Sequence, residues 1–147
     1  MGIIIYSWWL KTYGVSVLEN KKVNEVMTKN VFTTTTDEDV VFAFEKLMKH
    51  KISALPVIND FGEIVGIVTA TDLGHNLILD NYQLGTKIVN VMVKKVVSID
   101  SEASLYDAIS LMNDNSLDGT IVNQLPVIED SILIGIISDG DIIKALL

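Results

Sequence analysis

The sequence predicts an α/β (α+β) fold made of two copies of one roughly 60-residue unit, each running β-α-β-β-α. Three blocks carry that prediction, because each occurs twice and in the same order. Lys22-Val-Asn-Glu-Val-Met27 returns as Lys87-Ile-Val-Asn-Val-Met92, 65 residues on. Leu55-Pro56-Val57-Ile58 returns unchanged as Leu125-Pro126-Val127-Ile128, now at an offset of 70. Gly66-Ile-Val-Thr69-Ala-Thr-Asp72-Leu73 returns as Gly135-Ile-Ile-Ser138-Asp-Gly-Asp141-Ile142, at an offset of 69. The change of offset from 65 to 70 places five extra residues of the second copy within Asn113–Gln124. Both prolines of the chain fall in the repeated tetrapeptide.

Each element follows from local pattern. Val31–Thr35 and Val96–Ile99 are β-branched and read as first strands. Thr36 then reads as an N-cap, with Asp37, Glu38 and Asp39 in the first turn, where acids suit the helix dipole. Val40, Val41, Phe44, Leu47 and Met48 follow at helical spacing. In the second copy Ser101 reads as the cap of a helix carrying Leu105, Ala108, Ile109 and Met112. Two short apolar strands come next, Ala54–Ile58 and Ile64–Val68, joined by the turn Asn59-Asp-Phe-Gly62. Their counterparts are Leu125–Ile128 and Ile132–Ile137. A closing helix ends each copy; in the second, Ile142, Ile143, Leu146 and Leu147 mark its buried stripe. The division expected is an N-terminal arm over 1–20, a first unit over 21–81 and a second over 82–147, with Tyr82–Thr86 as linker.

Composition narrows the function. The net charge is −8 with no basic tract, which argues against nucleic acid and against anionic lipid. There is no cysteine, so disulfide and thiolate chemistry are excluded, and the cytoplasm is the compartment expected. Hydrophobic residues make up 49% of the chain, enough to expect that some apolar surface is buried in a homodimer. The most apolar run is Gly2–Leu10, with Ile3, Ile4, Ile5, Trp8 and Trp9. It is shorter than the ~20 residues a membrane span needs, and no basic segment precedes it. It reads as a packing arm; an interfacial anchor is the alternative that its two tryptophans raise.

No catalytic constellation is visible. His50 and His75 stand at no metal-ligand spacing, and neither a Gly-Lys-Ser/Thr phosphate loop nor a GxSxG elbow occurs. No catalytic residue, metal or catalytic cofactor is therefore expected. The chemistry that stands out is the repeated pair Thr69-x-x-Asp72 and Ser138-x-x-Asp141, where a strand turns into a helix. One reading is a capping box. The other is nucleotide binding: free N–H groups at a helix start suit phosphate, and an Asp one turn in can accept from both ribose hydroxyls.

The block Val26-Met27-Thr28, the segment Ile52-Ser-Ala-Leu-Pro56-Val57, the turn Asp60-Phe-Gly62 and the run Gly66–Asp72 together resemble the cystathionine-β-synthase (CBS) domain family. A tandem pair of such domains is called a Bateman module, and the resemblance covers about residues 21–147. It implies two units packed sheet to sheet with pseudo-twofold symmetry and two clefts between them. It implies that these clefts bind an adenosine-containing ligand: AMP, ADP, ATP or S-adenosylmethionine. It implies a regulatory module that joins into dimers and signals to an effector protein, unknown here; a ligand-free scaffold is the alternative. Carried onto this chain, the first site would use Thr33, Ile52, Ser53, Ala54, Pro56, Thr69, Thr71 and Asp72. The second would use Ser98, Val122, Asn123, Gln124, Pro126, Ser138 and Asp141. The second copy departs from the pattern: its insertion precedes the base-binding segment, Gln124 replaces Ala54, and Asp139 adds charge beside the phosphate position. The first copy is therefore the better candidate. Its nearest cations in sequence, Lys49, His50 and Lys51, also suit a solvated helix end.

Overall fold

The computed structural model describes residues 8–116 and 122–147. Residues 1–7, and with them most of the apolar run Gly2–Leu10, lie outside it, as do residues 117–121 of the insertion. In chain order a π-helical turn at Leu10–Gly14 leads into α1 (Val15–Asn20) and α2 (Val23–Val26). Then come β1 (Thr34–Thr35), α3 (Val40–His50), β2 (Ala54–Ile58), β3 (Ile64–Thr69) and α4 (Ala70–Ile78). After a 3₁₀ turn at Ile88–Asn90 the order repeats as β4 (Ile99–Asp100), α5 (Leu105–Asp114), β5 (Gln124–Glu129), β6 (Ile132–Ser138) and α6 (Asp139–Leu146). The repeated β-α-β-β-α order is the one the sequence predicts.

The chain folds into two compact units, and neither is simply one repeat. The first holds Phe32–Val96 with Ser131–Leu133; the second holds the chain up to Val31, Val97–Asp130 and Ile134–Leu147. The lead block of each repeat thus belongs to the unit formed by the body of the other. Within the first unit Ile67 and Val93 exchange backbone bonds of 3.0 Å. Within the second, Thr28 and Ile136 do the same at 2.8 and 2.9 Å.

Each unit has a three-stranded sheet, ordered β1-β2-β3 or β4-β5-β6. β1 lies parallel to β2, while β2 and β3 form an antiparallel hairpin. Gly62 takes φ +80° in the turn, a conformation a side chain would strain. The cores match position by position. Val40, Ala43, Leu47, Leu55, Val57, Val68, Leu73 and Ile88 fill the first. Leu105, Ala108, Met112, Leu125, Val127, Ile137, Ile142 and Val23 are their counterparts in the second, joined by Ile99. Where the second core has Ile99, the first has Thr34, whose buried hydroxyl donates to Glu38 Oε2 at 2.7 Å.

Two details differ from the sequence expectation. The first strands are only two residues long, at Thr34–Thr35 and Ile99–Asp100. The helices also begin later than Thr36 and Ser101. Asp39 caps α3 by accepting from Val41 N–H at 2.8 Å. Ser104 caps α5 in a box with Asp107. The acids expected in the first turn of α3 are used elsewhere: Asp37 accepts from the Thr35 hydroxyl, and Glu38 takes both Thr34 and Lys46. Ser101 is buried, its hydroxyl 3.4 Å from Glu129.

Candidate functional site

The hairpin register gathers most of the first copy's candidate residues at one end of its sheet. Ala54, the first residue of β2, pairs with Thr69, the last of β3. The segment before β2 is tied to the helix start, since Ser53 C=O accepts from Ala70 N–H at 2.8 Å. Thr33 enters β1 on the far side of β2, so it stands two strand spacings, about 10 Å, from the strand of Thr69. Ser53, Thr71 and Asp72 are exposed, and Thr33, Ile52, Ala54 and Thr69 are half-buried. Pro56 lies inside β2 and is buried, set back from this end. Thr33 C=O is already held by Lys46 Nζ at 2.9 Å.

The second copy has the same frame. Asn123 C=O accepts from Asp139 N–H at 3.0 Å, the counterpart of the Ser53 bond. Val122 N–H donates to Met112 C=O at 3.2 Å, as Ile52 N–H does to Leu47 C=O at 3.1 Å. The same bond therefore closes a longer chain segment in the second copy, and the five extra residues sit inside it. Val122, Gln124 and Ser138 are half-buried, as are Ser98 and Asp141; Asn123 is exposed and Pro126 is buried.

The two helix starts differ in which donors they leave free. A helix begins with four N–H groups that have no partner inside it. In the second copy side chains of the same turn take three of them. Ser138 N–H donates to Asp141 Oδ2 at 2.9 Å, and Asp141 N–H donates to Ser138 Oγ at 3.1 Å. Gly140 N–H donates to Asp139 Oδ1 at 2.8 Å, and the Asn123 carbonyl takes the fourth group. In the first copy Asp72 N–H donates to Thr69 Oγ1 at 3.1 Å, and Ala70 N–H goes to Ser53. Among the described residues no side chain accepts from Thr71 N–H, and the Asp72 carboxylate accepts no hydrogen bond. So Thr69-x-x-Asp72 is half a cap: the hydroxyl serves the helix and the carboxylate faces solvent.

Tyr82, which the sequence reading places in the linker, comes into the field of Asp72. Burial, with that carboxylate adding to it, raises the Tyr82 phenol above its ordinary pKa. It packs partly against the first core, and nothing in its sequence neighbourhood marks it as a neighbour of Asp72. Among the described residues no three His, Asp or Glu side chains stand together as a metal site. Nor is any helix long and apolar enough to cross a membrane.

A family model for the CBS domain matches this chain twice, over residues 23–77 and 88–147. The inosine-5′-monophosphate dehydrogenase of Methanocaldococcus jannaschii is 35% identical over 145 residues, 98% of this chain but only 27% of that enzyme. The mitochondrial CBS domain-containing protein CBSX3 of Arabidopsis thaliana is 30% identical over 118 residues, 76% of this chain and 54% of that protein. This chain thus spans about a quarter of the one and half of the other. The crystal structure of CBSX2 in complex with AMP superposes with a TM-score of 0.71 at 28% identity, covering 86% of this chain and 96% of that one. The CBS domain pair of protein MJ0100, in complex with 5′-methylthioadenosine and S-adenosyl-L-methionine, gives 0.68 at 25% identity, covering 84% and 94%.

Proposed function

The chain belongs to the CBS-domain family, and on that premise we propose that it is a regulatory module whose first copy binds an adenosine-containing ligand. AMP, ADP, ATP and S-adenosylmethionine are the ligands the motif admits. AMP in CBSX2 and the adenosyl compounds in the pair from MJ0100 support that class. The observation that carries the reading is the open helix start at Thr69–Asp72. A phosphate placed there would receive Thr71 N–H, and a ribose would donate its hydroxyls to Asp72. Thr71 adds a side-chain hydroxyl at the same turn. The counterpart turn in the second copy has no such donor to give, and two carboxylates stand on it.

In this reading the module is not an enzyme. It works in the cytoplasm as a homodimer and reports ligand occupancy to an effector protein. The exposed Trp8, Tyr13 and Val15 at the N-terminal helix support self-association. Calorimetry on the full chain with each of the four ligands tests the reading. One site per chain, weakened at least tenfold by Asp72→Ala, is the expected result. No heat and no thermal stabilisation by any of them at millimolar concentration would leave a ligand-free scaffold instead.

A further inference from the structure

We infer that Lys46 reads the base of the ligand at the first site, and that its ammonium group makes this site select adenine. The inference rests on the binding reading proposed above and adds a residue to it. β1 runs parallel to β2, and β3 returns against them, so Thr33, Ala54 and Thr69 form a row across one end of the sheet. A nucleoside monophosphate is about as long as the two strand spacings of that row. A ligand held by its phosphate at Thr71 and by its ribose at Asp72 therefore extends its base past the small Ala54 toward Thr33.

Thr33 precedes β1 and stands outside the strand ladder, so α3 fixes it instead. Lys46 Nζ donates to Thr33 C=O at 2.9 Å and to Glu38 Oε2 at 3.2 Å. The neighbouring Phe32 stacks on His50, one turn further along α3, with ring centroids 3.8 Å apart. An ammonium group has three N–H donors, and among the described residues Lys46 uses two of them. The Thr33 carbonyl keeps a second lone pair. An acceptor and a cationic donor thus stand 2.9 Å apart at the base end of the row. Adenine carries the matching pair, an amino N–H beside a ring nitrogen acceptor. The 6-oxo group of hypoxanthine or guanine would instead set oxygen against the Thr33 oxygen.

The fold does not depend on this arrangement. In the second copy Ile99, Ala103 and Leu111 stand at the positions of Thr34, Glu38 and Lys46. Ile99 is part of the second core, and Ala103 and Leu111 pack against it. The second unit therefore builds the same strand and helix with apolar side chains where the first has a hydroxyl, a carboxylate and an ammonium group. The Lys46 side chain is also the more open member of its pair, 32% exposed against 20% for Glu38, so a ligand can reach it.

Calorimetry on the full chain with AMP, ATP and S-adenosylmethionine, and with IMP and ITP, tests this. The unaltered chain is expected to bind AMP or ATP about tenfold or more tightly than the matching inosine nucleotide. The variant Thr34→Ile/Glu38→Ala/Lys46→Leu gives the first unit the apolar set that the second already packs, and a thermal melt checks that it folds. Its affinity for the adenine nucleotides should fall about tenfold or more, while that for IMP and ITP changes less, so the ratio between them narrows. Lys46→Met alone should narrow the ratio in the same way, and it decides the matter if the triple variant does not fold. The proposal is overturned if IMP binds as tightly as AMP, or if the variants keep full affinity. It is also overturned if adenine and inosine nucleotides weaken equally, which leaves Lys46 a structural ion pair. In each of those outcomes the binding reading itself stands. Binding of S-adenosylmethionine alone would take the phosphate away from Thr71, and the placing of the base with it. If the unaltered chain binds none of these ligands, the binding reading falls and this inference falls with it.

Discussion

Met27 lies across Gly135: a Cβ added to that glycine would stand 2.5 Å from the Met27 sulfur and 3.0 Å from the Thr28 carbonyl oxygen. The pairing repeats in the other unit, where Met92 Sδ would lie 2.6 Å from a Cβ on Gly66 and the Val93 oxygen 3.2 Å from it. The Val-Met and Gly of the repeated blocks are therefore one contact made twice. The lead segment can run alongside β6 or β3 only because the strand has no side chain there.

Gly135→Ala should accordingly destabilise the protein by about 1–3 kcal/mol, the usual cost of overpacking. Gly66→Ala should cost less, since its backbone neighbour is farther away. A methionine can swing aside, but a carbonyl held in the Thr28–Ile136 pair cannot. Urea unfolding of both variants checks the order. Equal losses would mean that the sulfur, not the backbone, sets the cost.

The repeat made most of this fold legible in the sequence. Ala54–Ile58 and the strand pair in each copy follow from β-branched runs bounded by turn residues, and the core positions follow from helical spacing. What periodicity could not show is which lead segment packs on which body. Val23 and Ile88 each join the core built by the other repeat's residues, and local pattern carries no information about a partner so far along the chain. The caps slipped by three residues for a different reason. Thr36 and Ser101 are good caps by residue type, but competing side-chain bonds at Asp37, Glu38 and Glu129 decide the local geometry. The candidate site was legible as a motif. Its half-capped state was not, because Thr69-x-x-Asp72 and Ser138-x-x-Asp141 read alike until the hydrogen bonds are placed.

The corrected caps make a direct prediction. Asp39→Ala and Ser104→Ala should each cost about 1 kcal/mol, as loss of a capping acceptor does. Thr36→Ala should stay within about 0.5 kcal/mol, as a change away from such a feature does. Thermal melts of the three variants decide it; a larger loss at Thr36 than at Asp39 would move the helix start back to Thr36.

Lys46 holds two groups at once, Thr33 C=O at 2.9 Å and Glu38 Oε2 at 3.2 Å. Glu38 also takes the buried Thr34 hydroxyl. Lys46→Met should cost about 1–2 kcal/mol, because a largely shielded carboxylate loses its cation while the alkyl stem is kept. The double variant Lys46→Met/Glu38→Gln should recover part of that loss, since no charge is then left unpaired. A double variant less stable than the sum of the two single losses would show that the pair does not act as a unit.

Asp72 and Asp141 occupy equivalent positions and should fail in different ways. Asp141 accepts from Ser138 N–H, so Asp141→Ala removes a cap and should cost about 1 kcal/mol of stability. The Asp72 carboxylate accepts no hydrogen bond among the described residues and is exposed, so Asp72→Ala should leave the melting temperature nearly unchanged. If that carboxylate receives ribose hydroxyls, hydrogen bonds to a charged acceptor contribute about 1.5–3 kcal/mol each, and affinity should fall roughly 10- to 100-fold or more. Binding and unfolding measured on the same two proteins separate the cases. A stable Asp72→Ala protein with full affinity would remove Asp72 from the site. An Asp141→Ala protein that loses more affinity than Asp72→Ala would mean that the second copy, despite its closed helix start, is where the ligand binds.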